Sequence, residues 1–267
     1  MLKSLIKVNL LVAMVALCVS VPIVNAQITL SQEIFPGTCC LYDIVFEGPE
    51  HGYVVGVNGT VFEFDGLDWL PLDIPTTADF YDIVFTGLET GYAVGADGTV
   101  FEFDGLDWIP ITSPVTQSLY EVYFEGPEHG YAVGVDGTII EFDGTEWLEE
   151  VSPTIQTLND VYFNSTDQGW AVGEGGTILR FDGTDWTVVT SPTTMALMDV
   201  YFETPDLGYA VGEAGTLIWF DGTTWIPEFP TAILTLLLIS FSLVAVLLAK
   251  TASKLSRKPS LPSRNLL

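Results

Sequence analysis

Residues 160–186 read DVYFNSTDQGWAVGEGGTILRFDGTDW, and this stretch decides the fold. It opens on a β-branched and aromatic run, Val161-Tyr-Phe163. A short apolar run follows between glycines, Gly169-Trp-Ala-Val-Gly173. A glycine turn at Gly175-Gly176 leads into Thr177–Phe181, and Asp182-Gly183-Thr184-Asp185 turns the chain again before Trp186. Short runs rich in β-branched and aromatic residues, separated by Gly and Asp turns, read as strands of one antiparallel meander.

The same stretch recurs five times. Gly52-Tyr-Val-Val-Gly56, Gly91-Tyr-Ala-Val-Gly95, Gly130-Tyr-Ala-Val-Gly134, Gly169-Trp-Ala-Val-Gly173 and Gly208-Tyr-Ala-Val-Gly212 are spaced by 39 residues. Phe-Asp-Gly at 64, 103, 142, 181 and 220 keeps that period, as do Trp69, Trp108, Trp147, Trp186 and Trp225. A fixed period of this length is the signature of a repeat architecture. In the third copy, Tyr120–Phe124 is the first strand and Gly130–Gly134 the second. Asp136-Gly137 suits the positive backbone angles of a type I′ hairpin, as do Asn58-Gly59 and Asp97-Gly98. Thr138–Phe142 is the third strand, and Trp147 opens the fourth.

Thr60, Phe62 and Phe64 share one face of a strand while Val61 lies on the other. Apolar groups on both faces require neighbours on both sides, which blades stacked about an axis provide. The expected fold is therefore an all-β, five-bladed β-propeller over residues 27–230. Its four-stranded repeats start near 42, 81, 120, 159 and 198. A linear β-solenoid is the rival. For closure, residues 28–35 are read as a strand completing the last blade, with Leu30 to Phe35 pairing with Thr216 to Phe220. Ile226 to Phe229 is the competing candidate for that place.

The ends are of another kind. Residues 1–26 carry Lys3 and Lys7, an apolar stretch and the ending Val24-Asn-Ala26, the layout of a cleaved signal peptide. Residues 231–249 hold no charge, and 19 residues at about 1.5 Å each approach the hydrocarbon thickness of a bilayer, so a single transmembrane helix is expected. Lys250, Lys254, Arg257, Lys258 and Arg264 follow it in a basic tail, 250–267, that stays cytoplasmic. The expected localisation is a single-pass cell membrane protein, with the propeller outside at the cell surface and the tail inside.

Charge sorts the same way. All 35 acidic residues lie between Gln27 and Pro230, where Arg180 is the only basic residue, so the outer region carries −34. That excludes nucleic acid as a partner, because no phosphate-neutralising footprint exists. Self-repulsion of this size calls for screening by salt or bound cations. The outer region has only the adjacent pair Cys39 and Cys40, so no disulfide framework holds the fold.

The pattern Asp-Val-Tyr-Phe, Gly-Trp-Ala-Val-Gly, Gly-Thr-Ile and Asp-Gly-x-x-Trp resembles the propeller family named for the photosystem II assembly factor. It is also similar to a degenerate Asp-box (BNR-type) of the sialidase-type propellers, where Asp-Gly-x-x-Trp turns between the third and fourth strands of a blade. The resemblance spans residues 42–226. It implies a propeller fold and leaves open a role as an assembly factor for a membrane complex. The chain departs from that family in showing five repeats and in lacking an arginine-rich surface. Pro227-Glu-Phe-Pro230, the apolar run and the basic tail resemble archaeal PEF-type sorting signals. That resemblance implies envelope attachment after C-terminal processing, beside the alternative of a retained anchor.

Nothing singles out a catalytic pair among the 35 carboxylates, although their number leaves glycoside hydrolysis open. Sialidase chemistry needs three arginines around a substrate carboxylate, and Arg180 stands alone; it is read as a blade-surface ion pair. His51 and His129 sit two blades apart in Glu-His-Gly turns, too few for a zinc site. Asp43, Asp82, Glu121, Asp160 and Asp199 recur at the second position of the first strand, forming a carboxylate row if that strand is innermost. One reading is a cation site taking Ca2+. The other, preferred because every copy has an acid, is side chains accepting backbone N–H bonds that pin the blades. The turn aspartates Asp65, Asp104, Asp143, Asp182 and Asp221 take that second reading too. Asn58 and Asn164 match the glycosylation sequon.

The function expected is a non-catalytic binding or scaffold module, without a cofactor, that recognises a protein or glycan partner. The alternatives are an envelope glycan hydrolase or lyase, or the assembly role.

Overall fold

The computed structural model of the chain describes residues 40–87 and 89–227. The expected leader at 1–26, closing strand at 28–35, span at 231–249 and tail at 250–267 lie outside the described residues. No described helix is long and apolar enough to cross a membrane.

Among the described residues, twenty strands form five antiparallel sheets of four, each in sequence order from edge to edge. Blade 1 is β1 (Leu41–Gly48), β2 (His51–Gly56), β3 (Val61–Phe64) and β4 (Trp69–Leu72). Blade 2 is β5 (Phe80–Gly87), β6 (Thr90–Gly95), β7 (Val100–Phe103) and β8 (Trp108–Ile111). Blade 3 is β9 (Leu119–Gly126), β10 (His129–Gly134), β11 (Ile139–Phe142) and β12 (Trp147–Glu149). Blade 4 is β13 (Leu158–Ser165), β14 (Gln168–Gly173), β15 (Ile178–Phe181) and β16 (Trp186–Val188). Blade 5 is β17 (Leu197–Thr204), β18 (Leu207–Gly212), β19 (Thr216–Phe220) and β20 (Trp225–Pro227).

Local chemistry explains the turns. Between the second and third strands, Asn58, Asp97 and Asp136 take φ of 56°, 56° and 58°, each followed by a glycine of positive φ. These residue types tolerate the left-handed region that the tight turn demands. Between the third and fourth strands, Asp65 Oδ1 accepts the N–H groups of Leu67 and Asp68, both at 2.9 Å. Asp104, Asp143, Asp182 and Asp221 do the same in their blades. This is an Asx turn, and the second reading of these aspartates holds. The N–H bonds hold the Asp65 and Asp104 carboxyls below the usual range, and the Thr223 hydroxyl, then the Thr224 and Thr223 N–H groups, do the same for Asp221.

The glycines of the Gly-x-x-x-Gly motif are fixed by close approach. A Cβ on Gly130 would enter the Phe124 ring, and one on Gly134 would strike the Ser118 carbonyl. The equivalent pairs in the other blades meet the equivalent atoms.

Each blade has two apolar faces, as its alternation requires. The forward face of blade 1 (Tyr53, Val55, Val61) packs on the rear face of blade 2 (Phe80, Ile83, Ala93, Phe101, Trp108). The junctions from blade 2 to 3, 3 to 4 and 4 to 5 repeat this. Fully burying one such side chain stabilises by about 1.5–3 kcal/mol. A stacked pair centres each junction: Tyr53 on Phe85 at 4.8 Å, Tyr92 on Phe124 at 4.6 Å, Tyr131 on Phe163 at 4.2 Å and Trp170 on Phe202 at 5.2 Å. The first strands β1, β5, β9, β13 and β17 lie side by side in that order, which makes them the inner strands.

Closure by the N-terminal segment on β19 is corrected. Both edges of β19 are taken, one by β18 and the other by β20, where Ile226 faces Trp219. The place goes to Trp225–Pro227, which overlaps the start of the competing candidate, because the Asp221 turn delivers the chain directly onto the edge of β19. Among the described residues, β17 and β1 are not packed together as successive inner strands are.

Candidate binding surface on the inner strands

Each inner strand carries a bulge near its start. In blade 1, Leu41 pairs with Gly56 and Asp43 with Val55, so Tyr42 is the extra residue. The same slip occurs in all five blades, making Tyr81, Tyr120, Asn159 and Met198 the extra residues. A bulge breaks the alternation and re-aims a side chain. Here it turns successive residues toward one another. Tyr42 and Tyr81 lie 5.3 Å apart, and Tyr81 and Tyr120 5.2 Å apart, both edge to face. Asn159 Nδ2 donates to the Leu197 carbonyl at 2.7 Å. Tyr42 and Met198, at the two ends of this row, are exposed, and the three between are half-buried.

Behind this row lies the carboxylate row. Asp43 Oδ2 accepts the Ile83 N–H at 3.3 Å, and Asp82 Oδ2 accepts the Val122 N–H at 2.8 Å. Asp160 accepts its own strand's Val161 N–H at 2.8 Å and the Val200 N–H of the next blade at 2.6 Å. These carboxylates latch one blade to the next. Burial, then the charge and hydrogen bond of Asp43, push the Asp82 carboxyl well above the usual carboxylate range. Asp82 therefore holds a proton where an exposed aspartate has lost it. Glu121 and Asp199 hold the same strand position and are half-buried. Among the described residues, no group of three or more His, Cys, Asp or Glu converges as metal ligands would.

A third row carries the polar contacts of the second and third strands. Tyr53, Tyr92 and Tyr131 donate to Glu63, Glu102 and Glu141 at 3.2, 3.0 and 2.7 Å. Blade 4 changes both partners. Trp170 lies opposite Arg180, whose guanidinium sits 5.6 Å from the indole centroid. The ion pair expected of Arg180 is thus replaced, among the described residues, by a cation–π contact. Its cross-strand neighbour is an aromatic face rather than an acid.

His51 bridges Glu63 at 2.8 Å and Glu47 at 3.3 Å, and His129 lies 3.6 Å from Glu141, each within its own blade. Burial, then the charge and hydrogen bond of Glu141, raise the Glu150 carboxyl. Glu150 also lines an open polar cleft of about 380 Å³ with Asp136, Gln117 and Ser152.

Asn58 is exposed, and its backbone N–H is held by Asp79 Oδ1 at 2.8 Å. Asn164 lies in β13 with its Nδ2 buried. Cys40 is exposed and leads into β1, while Cys39 lies outside the described residues.

The sequence reading passed over the bulged row. A tyrosine directly before the acid in three successive copies was its signal. It also passed over the hydroxyls of Tyr123 and Tyr162, which donate to the Phe163 and Phe202 carbonyls of the next blade at 2.9 and 3.0 Å.

No family model and no curated protein sequence matches the chain. Among solved structures, the WD40 β-propeller domain of Doa1 matches at 12% identity and a TM-score of 0.60, over 71% of this chain and 67% of that one. The computationally designed Ika8 protein matches at 14% identity and a TM-score of 0.59, over 71% of this chain and 60% of that one. YCF48 bound to D1 peptide matches at 21% identity and a TM-score of 0.41, over 72% and 82%. What the chain shares with the Doa1 domain is the β-propeller fold.

Proposed function

We propose that this chain is a non-catalytic binding propeller whose bulged inner-strand row engages a basic segment of a protein partner at the cell surface. The observation that carries the reading is the row itself. Its side chains are the bulged positions, and they differ between blades (Tyr, Tyr, Tyr, Asn, Met), whereas three of the acids behind them, Asp43, Asp82 and Asp160, latch one blade to the next. Repetition serves the scaffold, and departure from repetition serves recognition. Aromatic rings at an accessible edge supply contact area at small entropic cost. The net charge of −34 over residues 27–230 steers cationic segments toward the domain.

In this reading residues 1–26 direct export, 231–249 anchor the chain, and 250–267 remain inside. Support comes from the apolar runs and the placement of every acid between them.

The test is a peptide array probed with the full chain. Lys- and Arg-rich peptides retain it, retention falls with rising salt, and the double variant Tyr81→Ala/Tyr120→Ala weakens binding about tenfold. An array on which basic peptides retain no more protein than neutral ones overturns the reading.

A further inference from the structure

The two triplets that fit N-linked glycosylation are treated in opposite ways by the fold. Asn164-Ser-Thr166 begins near the end of β13. Phe163 pairs with Gly169 and Ser165 with Gln168, so Asn164 is the extra residue of a second bulge. The same bulge in blade 1 makes Glu47 the extra residue, and its side chain is only 7% exposed. The position aims side chains into the blade, and Asn164 follows, with its Nδ2 buried. A sugar on that nitrogen would have to enter packed protein.

Asn58-Gly-Thr60 lies between β2 and β3. Asn58 is exposed, at the φ of 56° that asparagine tolerates. The backbone alone holds this turn. Asp79 Oδ1 accepts the Asn58 N–H at 2.8 Å, the Ala78 carbonyl accepts the Gly59 N–H at 2.7 Å, and the Val57 carbonyl accepts the Thr60 N–H at 3.1 Å. Among the described residues no hydrogen bond engages the Asn58 side chain, so its amide can carry a substituent without loosening the turn.

The triplet also has an origin in the repeat. Gly-Thr follows the same position in the other copies, as Asp97-Gly-Thr99, Asp136-Gly-Thr138, Gly175-Gly-Thr177 and Ala214-Gly-Thr216, so Asn at that place completes the pattern by itself. Whatever its origin, the triplet is the same acceptor, and exposure decides whether a glycan can stand on it.

We infer that Asn58, and not Asn164, is an N-glycosylation site; the inference rests on the export reading above. The donor is an oligosaccharide linked to a membrane polyprenyl phosphate or diphosphate. The bond from its anomeric carbon to the phosphate oxygen breaks, a bond from that carbon to Asn58 Nδ2 forms, the nitrogen gives up one proton, and the carrier leaves as its free phosphate. The Leu41–Gly56 pairing, and the Val57 N–H donated to the Cys40 carbonyl at 3.1 Å, set this turn beside the start of β1. Asp79, which holds the turn, leads into β5. The glycan therefore stands at the Tyr42–Tyr81 end of the bulged row and borders the surface proposed for binding.

The test expresses the full chain in a host that N-glycosylates exported proteins, once with its own residues 1–26 and once with the host's leader in their place. Glycopeptide mass spectrometry of the folded protein recovered outside the cell is expected to find a glycan on Asn58 and an unmodified Asn164. Asn58→Asp, which installs the residue blades 2 and 3 use at this turn, removes the glycan, and so does Thr60→Ala. Thr166→Ala breaks the other triplet at an exposed residue and changes nothing. Asp136→Asn completes a new triplet in the same geometry and adds a second glycan. Unmodified Asn58 on protein exported by the host's leader overturns the inference, as does folded protein with Asn164 occupied as fully as Asn58. A chain that reaches the outside only with the host's leader overturns the export reading instead, and the state of Asn58 on that exported protein still decides the inference.

Discussion

At the residue scale, Ala214 is the place where one blade breaks the turn rule of the others. It takes φ of 54° where the equivalent residues are Asn58, Asp97, Asp136 and Gly175. An alanine held in the left-handed region costs about 1–2 kcal/mol relative to its preferred conformations, a cost that Asn meets in part by local hydrogen bonding. Ala214→Asn is expected to stabilise the domain by about 0.5–1 kcal/mol. For a domain of this size that is a rise of a few degrees in melting temperature, on a scale of about 2–4 °C per kcal/mol. Asp136→Ala should shift it the other way.

Asp82 gives a second residue-scale expectation. Its carboxyl titrates above 3.8 in the folded protein. The folded state therefore binds the proton more tightly than the unfolded state, and this group's contribution is lost as pH rises from the unfolded value through the raised one. Asp82→Asn keeps an acceptor for the Val122 N–H and removes the charge. Wild type and variant should have similar stability near pH 3.8, and the variant should gain on wild type as pH rises toward neutrality. Denaturant unfolding of both proteins across that range measures the difference. A gap that does not change with pH would show that Asp82 does not titrate there. The turn aspartates act in the opposite sense, since lowered pKa values favour the fold above 3.8 and lose that favour on acidification. They are common to both proteins and cancel in the comparison.

At the element scale, the third strand shows how two positions change together. Tyr–Glu pairs in blades 1 to 3 become Trp170–Arg180 in blade 4. An indole has no hydroxyl to give a carboxylate, but its face attracts a guanidinium. Arg180→Glu alone sets a carboxylate against an indole face, and Trp170→Tyr alone exchanges the better cation–π partner for a weaker one. Trp170→Tyr/Arg180→Glu restores the pair of the first three blades. A double-mutant cycle by chemical unfolding should give a coupling of about 0.5–2 kcal/mol, with the double variant more stable than the sum of the singles implies. Strands and turns themselves were legible in the sequence, because alternation, Asn-Gly or Asp-Gly turns and Asx turns act over a few residues. The bulge was not, since it appears only when the pairing of Leu41 with Gly56 and of Asp43 with Val55 is set side by side.

At the scale of the whole molecule, charge dominates. With 35 acids against Arg180 over residues 27–230, the folded domain concentrates like charge that the unfolded chain spreads out. Moving from about 0.01 M to 0.15 M salt shortens the screening length from roughly 30 Å to 8 Å. Thermal melting should therefore move upward by several degrees over that range. A melting temperature insensitive to salt would mean that the latches and Asx turns already neutralise the repulsion locally.

The sequence by itself determined the repeat, its four strands, the turn geometry and the sorting of charge, because each is a property of neighbouring residues or of composition. Only the tertiary structure decided what the repeated residues do. Phe46 and Phe85 are the same residue in the same motif, yet the first is exposed and the second packed in a junction, because burial is conferred by the blade alongside. The acids of the inner strands read as latches in preference to cation ligands because every copy has one, but only the structure shows which N–H groups of the next blade face Asp43, Asp82 and Asp160.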